Sequence, residues 1–490
     1  MSETNETNET FGPFTLNTLC NQDISSKIPD NYREFAQNVA RKCDPNATNI
    51  CLKCQPLEDV GIDLVNDTNY TPELLGVGSY NDVYTLPIKG ENKNAVIRLF
   101  TPESKYYSQL FDETEQEIFG AFIQTYLSKS KDEGGLGCPY INKVYDFGEY
   151  GSEKVNVPFT RIMKENVKLR KNEEDKHYIV GRKKKIDGNW TSTINVDKLP
   201  KPYMILESLK MDLSDKIKDN DNIPPTTILK YFQQILLGLK CMHENNLFHL
   251  DIKPANIMVD NDDNIRLVDF GMTVPITQDF PGGTPKYWSF TFTNKEYRKK
   301  NRMPIDDLWS VGLTILELLK IEFEENIKLT TELRKKGFKQ FSFGEKTVTF
   351  SYVDQTKLTD LAIETKNDVD SYGEEGEAMK KIMYALLNIF FVPTKGAIRT
   401  ALNRVRRTLT SRNDPFLTKG ITEDTDLNKI KPRYESSGNH ILTCEWLLDN
   451  FLGYPEGYIK DENTGGKRRK TRKTRKRRYK KKSMKGKKKH

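Results

Sequence analysis

Hydrophobic positions along this chain change their period twice. From Leu74 to Phe100 they come in short β-branched and apolar runs, Leu74-Leu-Gly-Val-Gly-Ser-Tyr-Asn-Asp-Val-Tyr84 and Asn94-Ala-Val-Ile-Arg-Leu-Phe100, separated by turn chemistry at Pro87 to Asn94. This pattern predicts strand, glycine turn, strand, turn, strand. Phe111 to Leu127 then carries Phe111, Ile118, Phe122 and Tyr126 at helical spacing, with acidic residues near its start. Tyr140 to Phe147 and Tyr203 to Glu207 read as further strands. Thr227 to His243 gives the clearest helix: Ile228, Leu229, Phe232, Ile235, Leu236, Leu239 and Met242 form one apolar face behind the Pro224-Pro225 start. Asp307 to Leu319 and Met379 to Val392 are further helical runs. Residues 1 to about 65 show no clear periodicity. Arg161 to Lys198 and Lys328 to Asp370 are charged and mixed, and both read as insertions.

Apolar residues make up 36% and charged residues 30% of 490 positions. That is the balance of a soluble chain long enough for a two-lobed unit with attached segments. No apolar run approaches the roughly 20 residues that span a bilayer, and Ala385 to Val392 falls far short. The N-terminus is polar and acidic, without the basic and apolar regions of a secretory signal, so an intracellular, non-secreted chain in cytoplasm or nucleus is expected. Seven cysteines in this length do not read as a disulfide framework, which points to a reducing compartment. Cys43, Cys51 and Cys54 are spaced either for a thiolate zinc site or as ordinary thiols.

The net charge of +8 conceals an asymmetry. Lys467 to Lys489 holds 17 of the 77 Lys and Arg residues and no Asp or Glu, so the body is net acidic. Such a tail, taken as 456–490, is expected to be disordered and to bind polyanions, nucleic acid included, without sequence preference. Nuclear targeting is a competing use of the run, and a solvated tail with no partner is the plain alternative.

The chemistry concentrates in His249-Leu-Asp-Ile-Lys-Pro-Ala-Asn256 and Asp269-Phe-Gly271. Phosphoryl transfer from Mg-ATP needs a carboxylate to accept a hydroxyl proton, a cation beside the moving phosphoryl and oxygen ligands for the metal. Asp251, Lys253, Asn256 and Asp269 supply these groups. Their spacing resembles the catalytic loop and Asp-Phe-Gly signature of eukaryotic-type protein kinases, with Lys253-Pro254 similar to the serine/threonine branch.

That resemblance implies a bilobal α+β kinase fold, with a β-rich N-lobe over 66–207 carrying an insert at about 160–200. A helical C-lobe over 208–455 would carry an insert at about 325–375, with a Cys-containing extension over 1–65 in front. It implies ATP with Mg²⁺ or Mn²⁺ as cofactors and Ser/Thr hydroxyls of proteins as substrates. Asp251, Lys253, Asn256 and Asp269 are the implied catalytic residues, with Asn256 and Asp269 also the metal ligands. Gly76, Val77, Gly78, Val83, Ala95, Arg98, Glu117, Glu207 and Leu209 would form the nucleotide site. Thr284 would bond Asp251 and Lys253, and Asp307 would bond the catalytic-loop backbone.

Several positions depart from the pattern. Asn81 stands for the third glycine of the phosphate loop, a residue that tolerates positive φ. Arg98 stands where the family has lysine, with Glu117 or Glu113 as its partner, and the wider guanidinium is not equivalent to an ammonium. Leu250 replaces the arginine that clamps a phosphorylated activation loop, and Phe290-Thr291 stand in place of Ala-Pro-Glu. These departures keep open a pseudokinase that binds nucleotide or partners with little catalysis. A third reading is a nucleic-acid-binding protein acting through its tail. The inserts and the basic ending are similar to kinase-like proteins of large DNA viruses, which would place the chain in a virion or host cell.

Overall fold

The computed structural model describes residues 9–11, 14–64, 73–77, 81–86, 88–89, 95–100, 107–151, 183–186, 189–192, 201–219, 222–278, 283–289, 304–321, 341–343, 346–348, 355–390 and 442–458. In chain order the first elements are β1 (Glu9–Phe11), β2 (Phe14–Thr18), α1 (Asp30–Cys43), β3 (Leu74–Val77), β4 (Asn81–Thr85), β5 (Ala95–Phe100), α2 (Tyr107–Ser128) and β6 (Val144–Gly151). A hairpin follows, β7 (Lys183–Ile186) with β8 (Asn189–Ser192), and then β9 (Lys201–Glu207). Six strands over residues 14–207 and the short β1 make one antiparallel sheet in the order β1-β2-β6-β9-β5-β4-β3.

One face of this sheet is apolar because alternate residues of each strand point the same way. Ala95, Ile97 and Leu99 of β5 join Tyr84, Leu86, Tyr203, Ile205 and Leu16 in a buried cluster. Val96 and Arg98 therefore point to the other face, toward the helical part of the molecule.

The second half is built on helices. After β10 (Met211–Asp212) and α3 (Leu213–Asp219) comes α4 (Pro225–Glu244), which starts with Pro at its first turn, where a missing N–H costs nothing. Its Ile228, Phe232, Ile235, Leu236, Leu239 and Met242 are buried, each side chain adding roughly 1.5–3 kcal/mol of transfer free energy. Strands β11 (Leu247–Phe248), β12 (Ile257–Val259), β13 (Ile265–Leu267) and β14 (Val274–Pro275) frame the segment between α4 and α5 (Pro304–Leu318). Trp309 of α5 meets Phe390 edge-on at 4.9 Å. Phe390 ends α6 (Gln355–Phe390), which follows the hairpin β15 (Phe341–Phe343) and β16 (Lys346–Val348) and breaks at Gly373, φ 56°. A short α7 (Cys444–Leu447) closes this first compact unit, 1–453. In the second unit, 454–490, Tyr454 and Tyr458 stack with centroids 5.1 Å apart.

Three expectations need correction. Residues before Tyr70 are not featureless: β1 and β2 extend the sheet, and α1 buries Tyr32, Ala36, Val39 and Ala40. Tyr32, Ala36, Val39 and Ala40 stand at i, i+4, i+7 and i+8, a short helical period in a polar helix, whereas Ile24, Ile28, Ile50 and Leu52 join the same core from turns that carry no period. The stretch read as an insertion to Asp370 already contains the first half of α6. Finally, four of the seven cysteines are paired. Cys20 is bonded to Cys54 and Cys138 to Cys241, with Cα atoms 5.4 and 5.7 Å apart. Separations of 34 and 103 residues hide this proximity, which the tertiary fold alone creates. Pairing of Cys54 removes it from any zinc trio. Among the described residues no cluster of His, Cys, Asp or Glu suits a metal.

No described helix is long and apolar enough to cross a membrane. The basic tail beyond Tyr458 and most of 152–200 lie outside the described residues.

Candidate active site

The loop after β11 is pinned from below. Asp307, on the first turn of α5, accepts the backbone N–H of His249 at 3.0 Å and of Leu250 at 2.7 Å. His243 Nε2 lies 2.8 Å from the same carboxylate. Burial pushes the Asp307 carboxyl up, but His243, the nearby His249 ring and the Leu250 N–H outweigh it and hold the group below its ordinary range. Leu250 sits at φ 63°, a left-handed conformation a leucine rarely adopts, and its N–H bond to Asp307 helps to keep it there.

Asp251 follows, nearly buried. Its Oδ1 accepts the Thr284 N–H and hydroxyl, each at 2.8 Å. Its Oδ2 accepts Lys253 Nζ at 2.8 Å and Asn256 Nδ2 at 2.9 Å. Lys253 also donates to Thr284 Oγ1 at 2.8 Å. Because the Asn256 amide nitrogen is committed to Asp251, its oxygen is left as an acceptor. The Thr284 segment is anchored by Tyr287, whose hydroxyl donates to Glu317 at 2.8 Å beside a Lys286–Glu317 ion pair. Ser310 Oγ further donates to the Tyr287 carbonyl at 2.7 Å. The sequence reading missed this anchor, which ties to α5 the loop that lacks Ala-Pro-Glu.

Opposite lies Asp269, also left-handed at φ 63°. Arg98 donates to Asp269 Oδ1 at 2.9 Å and to Glu117 Oε2 at 3.3 Å, so Glu117 rather than Glu113 faces it. Burial disfavours the Arg98 cation, yet Glu117 and Asp269 outweigh that and raise its pKa. Burial likewise raises the Asp269 carboxyl, and Arg98 with Lys253 reverses this, leaving it lowered. Helix α2 packs tightly here. Gln116 donates to the Gly271 carbonyl at 3.1 Å, and a Cβ on Gly120 would stand 3.0 Å from the Phe270 carbonyl.

The slot between these groups and the sheet holds the remaining predicted residues. Val83 pairs with both Gly76 and Arg98 and so shares the Arg98 face. Asn81 is an ordinary strand residue without positive φ, because it opens β4 instead of completing the turn. Its amide reaches Glu117 at 3.5 Å. Val77 ends β3, and Gly78 lies outside the described residues. Ala95 is a correction. It pairs with Glu207 but packs into the sheet's apolar cluster, three residues and hence one face away from Arg98. Val96, opposite Leu206, takes the slot-facing position, and counting alternation back from Arg98 would have found it. The Glu207 N–H is spent on the Lys143 carbonyl at 3.1 Å. The backbone N–H and C=O of half-buried Leu209 make no hydrogen bond among the described residues.

Comparisons with known proteins agree with this geometry. Residues 192–388 match the family described as protein kinase domain. Mitogen-activated protein kinase 14 of Oryza sativa subsp. japonica is 33% identical over 125 residues, 24% of this chain and 23% of that protein. Mitogen-activated protein kinase 16 of Arabidopsis thaliana is 33% identical over the same length, 22% of that protein. Mitogen-activated protein kinase 12 of Oryza sativa subsp. japonica is 26% identical over 247 residues, 48% of this chain and 39% of that protein. The chain thus spans under two fifths of the length of these relatives. An antiparallel sheet above a helical lobe, with this loop between them, defines a protein kinase fold. Residues 192–388 thus carry the protein kinase domain match, and the chain is similar to eukaryotic-type protein kinases.

Proposed function

We propose that this protein transfers the γ-phosphate of ATP to Ser or Thr hydroxyls of protein substrates. The observation that carries the reading is the Asp251, Lys253, Asn256 and Thr284 hydrogen-bond set facing Asp269 across the slot. Adenine would sit between Val83 and Val96 on one side, with the backbone of Glu207 and Leu209 as its polar partners. Asn256 Oδ1 and the Asp269 oxygen not held by Arg98 suit Mg²⁺ or Mn²⁺, which takes few protein ligands when phosphates supply the rest. Bound there, the metal would neutralise charge on the phosphates.

The four donors around Asp251 fill its roughly four lone-pair positions. A substrate hydroxyl must therefore displace one of them. Lys253 is the natural candidate: turning its ammonium toward the transferring phosphoryl frees Oδ2. That oxygen then accepts the hydroxyl proton as the substrate oxygen bonds to phosphorus and ADP leaves.

The direct Arg98–Asp269 bond favours a second reading, a pseudokinase whose metal ligand is neutralised from within. Incubation of the purified chain with labelled ATP, Mg²⁺ or Mn²⁺ and a generic basic protein separates the two: transfer supports the first, and ATP binding without transfer supports the second. The run Lys467 to Lys489 is proposed to bind polyanions beside this activity.

A further inference from the structure

Helix α2 is gripped on two sides. Glu117 faces Arg98, and Gln116 and Gly120 face the Asp-Phe-Gly turn. Phe119 lies two residues beyond Glu117, about 200° around the helix, and so points away from the slot. There the ring of Tyr32 stacks on it, with centroids 4.4 Å apart and planes at 12°. Every residue from Ile118 to Leu127 is buried, so the described part of α2 keeps almost no solvent face. A helix buried all round is held by partners on all sides. The outer partner is the segment before Leu64.

That segment is itself fastened at three places. To the sheet, β2 pairs along β6, Leu19 N–H donates to the Phe147 carbonyl at 2.9 Å, and Thr18 donates to buried Asp146 at 2.6 Å. Within itself, Cys20 is bonded to Cys54, and Asn21 exchanges two 3.1 Å hydrogen bonds with the Cys54 backbone. To the helical lobe, Lys42 donates to Asn245 at 3.0 Å, and Gln278, seven residues past Gly271, donates to the Asn31 carbonyl.

We infer that residues 14–64 form a built-in clamp that holds α2 where Glu117 meets Arg98, with Tyr32 as the positioning residue. The clamp spans both lobes and presses α2 from behind. The nucleotide site is then assembled by the chain itself, without a second protein or a phosphorylated loop to draw the helix inward. This agrees with Leu250, which offers no cation to a phosphorylated loop. The inference rests on the nucleotide-site reading above, but its test does not need phosphoryl transfer.

The test compares hydrogen exchange in α2 and nucleotide affinity between the wild-type chain, Tyr32→Ala, Tyr32→Phe and the double variant Lys42→Ala/Gln278→Ala. Tyr32→Ala should speed exchange across 107–128 and weaken MgATP binding roughly threefold to tenfold, the range of one aromatic pair. Tyr32→Phe, which keeps the stack, should restore both. The double variant removes two polar contacts at the lobe, one from exposed Lys42 and one from half-buried Gln278, and it should show the same changes at smaller size with a melting temperature near that of wild type. A Tyr32→Ala chain with a lower melting temperature but unchanged α2 exchange and affinity would overturn the clamp, as would a double variant identical to wild type. A wild-type chain that binds nucleotide without transferring phosphate would overturn the kinase reading alone.

Discussion

The Arg98 guanidinium touches the Asp269 carboxylate at 2.9 Å, and through Glu117 at 3.3 Å the same cation joins β5, α2 and the Asp-Phe-Gly turn. Both bonds leave a single guanidinium nitrogen, Nη2, which lies between the two carboxylates. The consequence is a site held together by the residue that also partly occupies the proposed metal ligand.

Arg98→Ala leaves two carboxylates facing each other, and because the Asp269 side chain is part-exposed the loss should stay below that of a fully buried pair, about 3–5 kcal/mol. Nucleotide affinity should fall at least about tenfold, and denaturant unfolding should show the loss of stability. Arg98→Lys should free Asp269 and keep or raise turnover. Equal affinity in the alanine variant would mean that another cation serves the phosphates.

His243 gives a pH signature. Burial alone would lower its pKa, but Cys444 at 3.6 Å and Asp307 at 2.8 Å outweigh that and raise it to about 10. A group raised above its unfolded value, about 6.5, contributes stability that is complete below that pH and is lost as pH climbs toward 10. The wild-type melting temperature should therefore decline between pH 7 and 10 more steeply than that of His243→Gln. Parallel profiles would contradict the assignment.

Gly148 is where β6 meets β2. A Cβ there would lie 2.1 Å from the Asn17 carbonyl. Gly148→Ala should push β2 away and cost about 1–3 kcal/mol, read as a lower denaturant midpoint. An unchanged midpoint would show that the edge pairing carries no stability.

Some of this architecture was legible in the sequence and some was not. The 3.6-residue period of α4 survives because its apolar residues all face one core, and the span read as Thr227 to His243 is Pro225–Glu244. The catalytic loop was legible because its chemistry requires fixed residue types at fixed spacing. Ala95 was misread because the motif was matched by residue type and not by alternation from Arg98. Both disulfides stayed hidden because they depend on contacts between distant residues, such as Cys138 with Cys241, that no local period encodes, whereas the helix carrying Tyr32 shows a period too short and too polar to stand out. The Glu317 anchor of Lys286 and Tyr287 was invisible for the same reason.

The basic run makes a separate prediction. A chain ending at Gly466 should retain phosphoryl transfer but lose binding to DNA or RNA, and full-length binding should weaken steeply with salt through counterion release. Salt-insensitive binding, or equal binding by the shortened chain, would contradict it.

Phosphoryl transfer should depend on Asp251, whose substitution by asparagine changes the charge and little of the shape. Labelled-phosphate transfer should be compared for the wild-type chain and Asp251→Asn, with ATP affinity measured on both. The wild type should transfer readily, and the variant should fall by roughly 100-fold or more, the scale of a positioned general base, with similar ATP affinity. Equal transfer rates in the two chains would contradict that dependence.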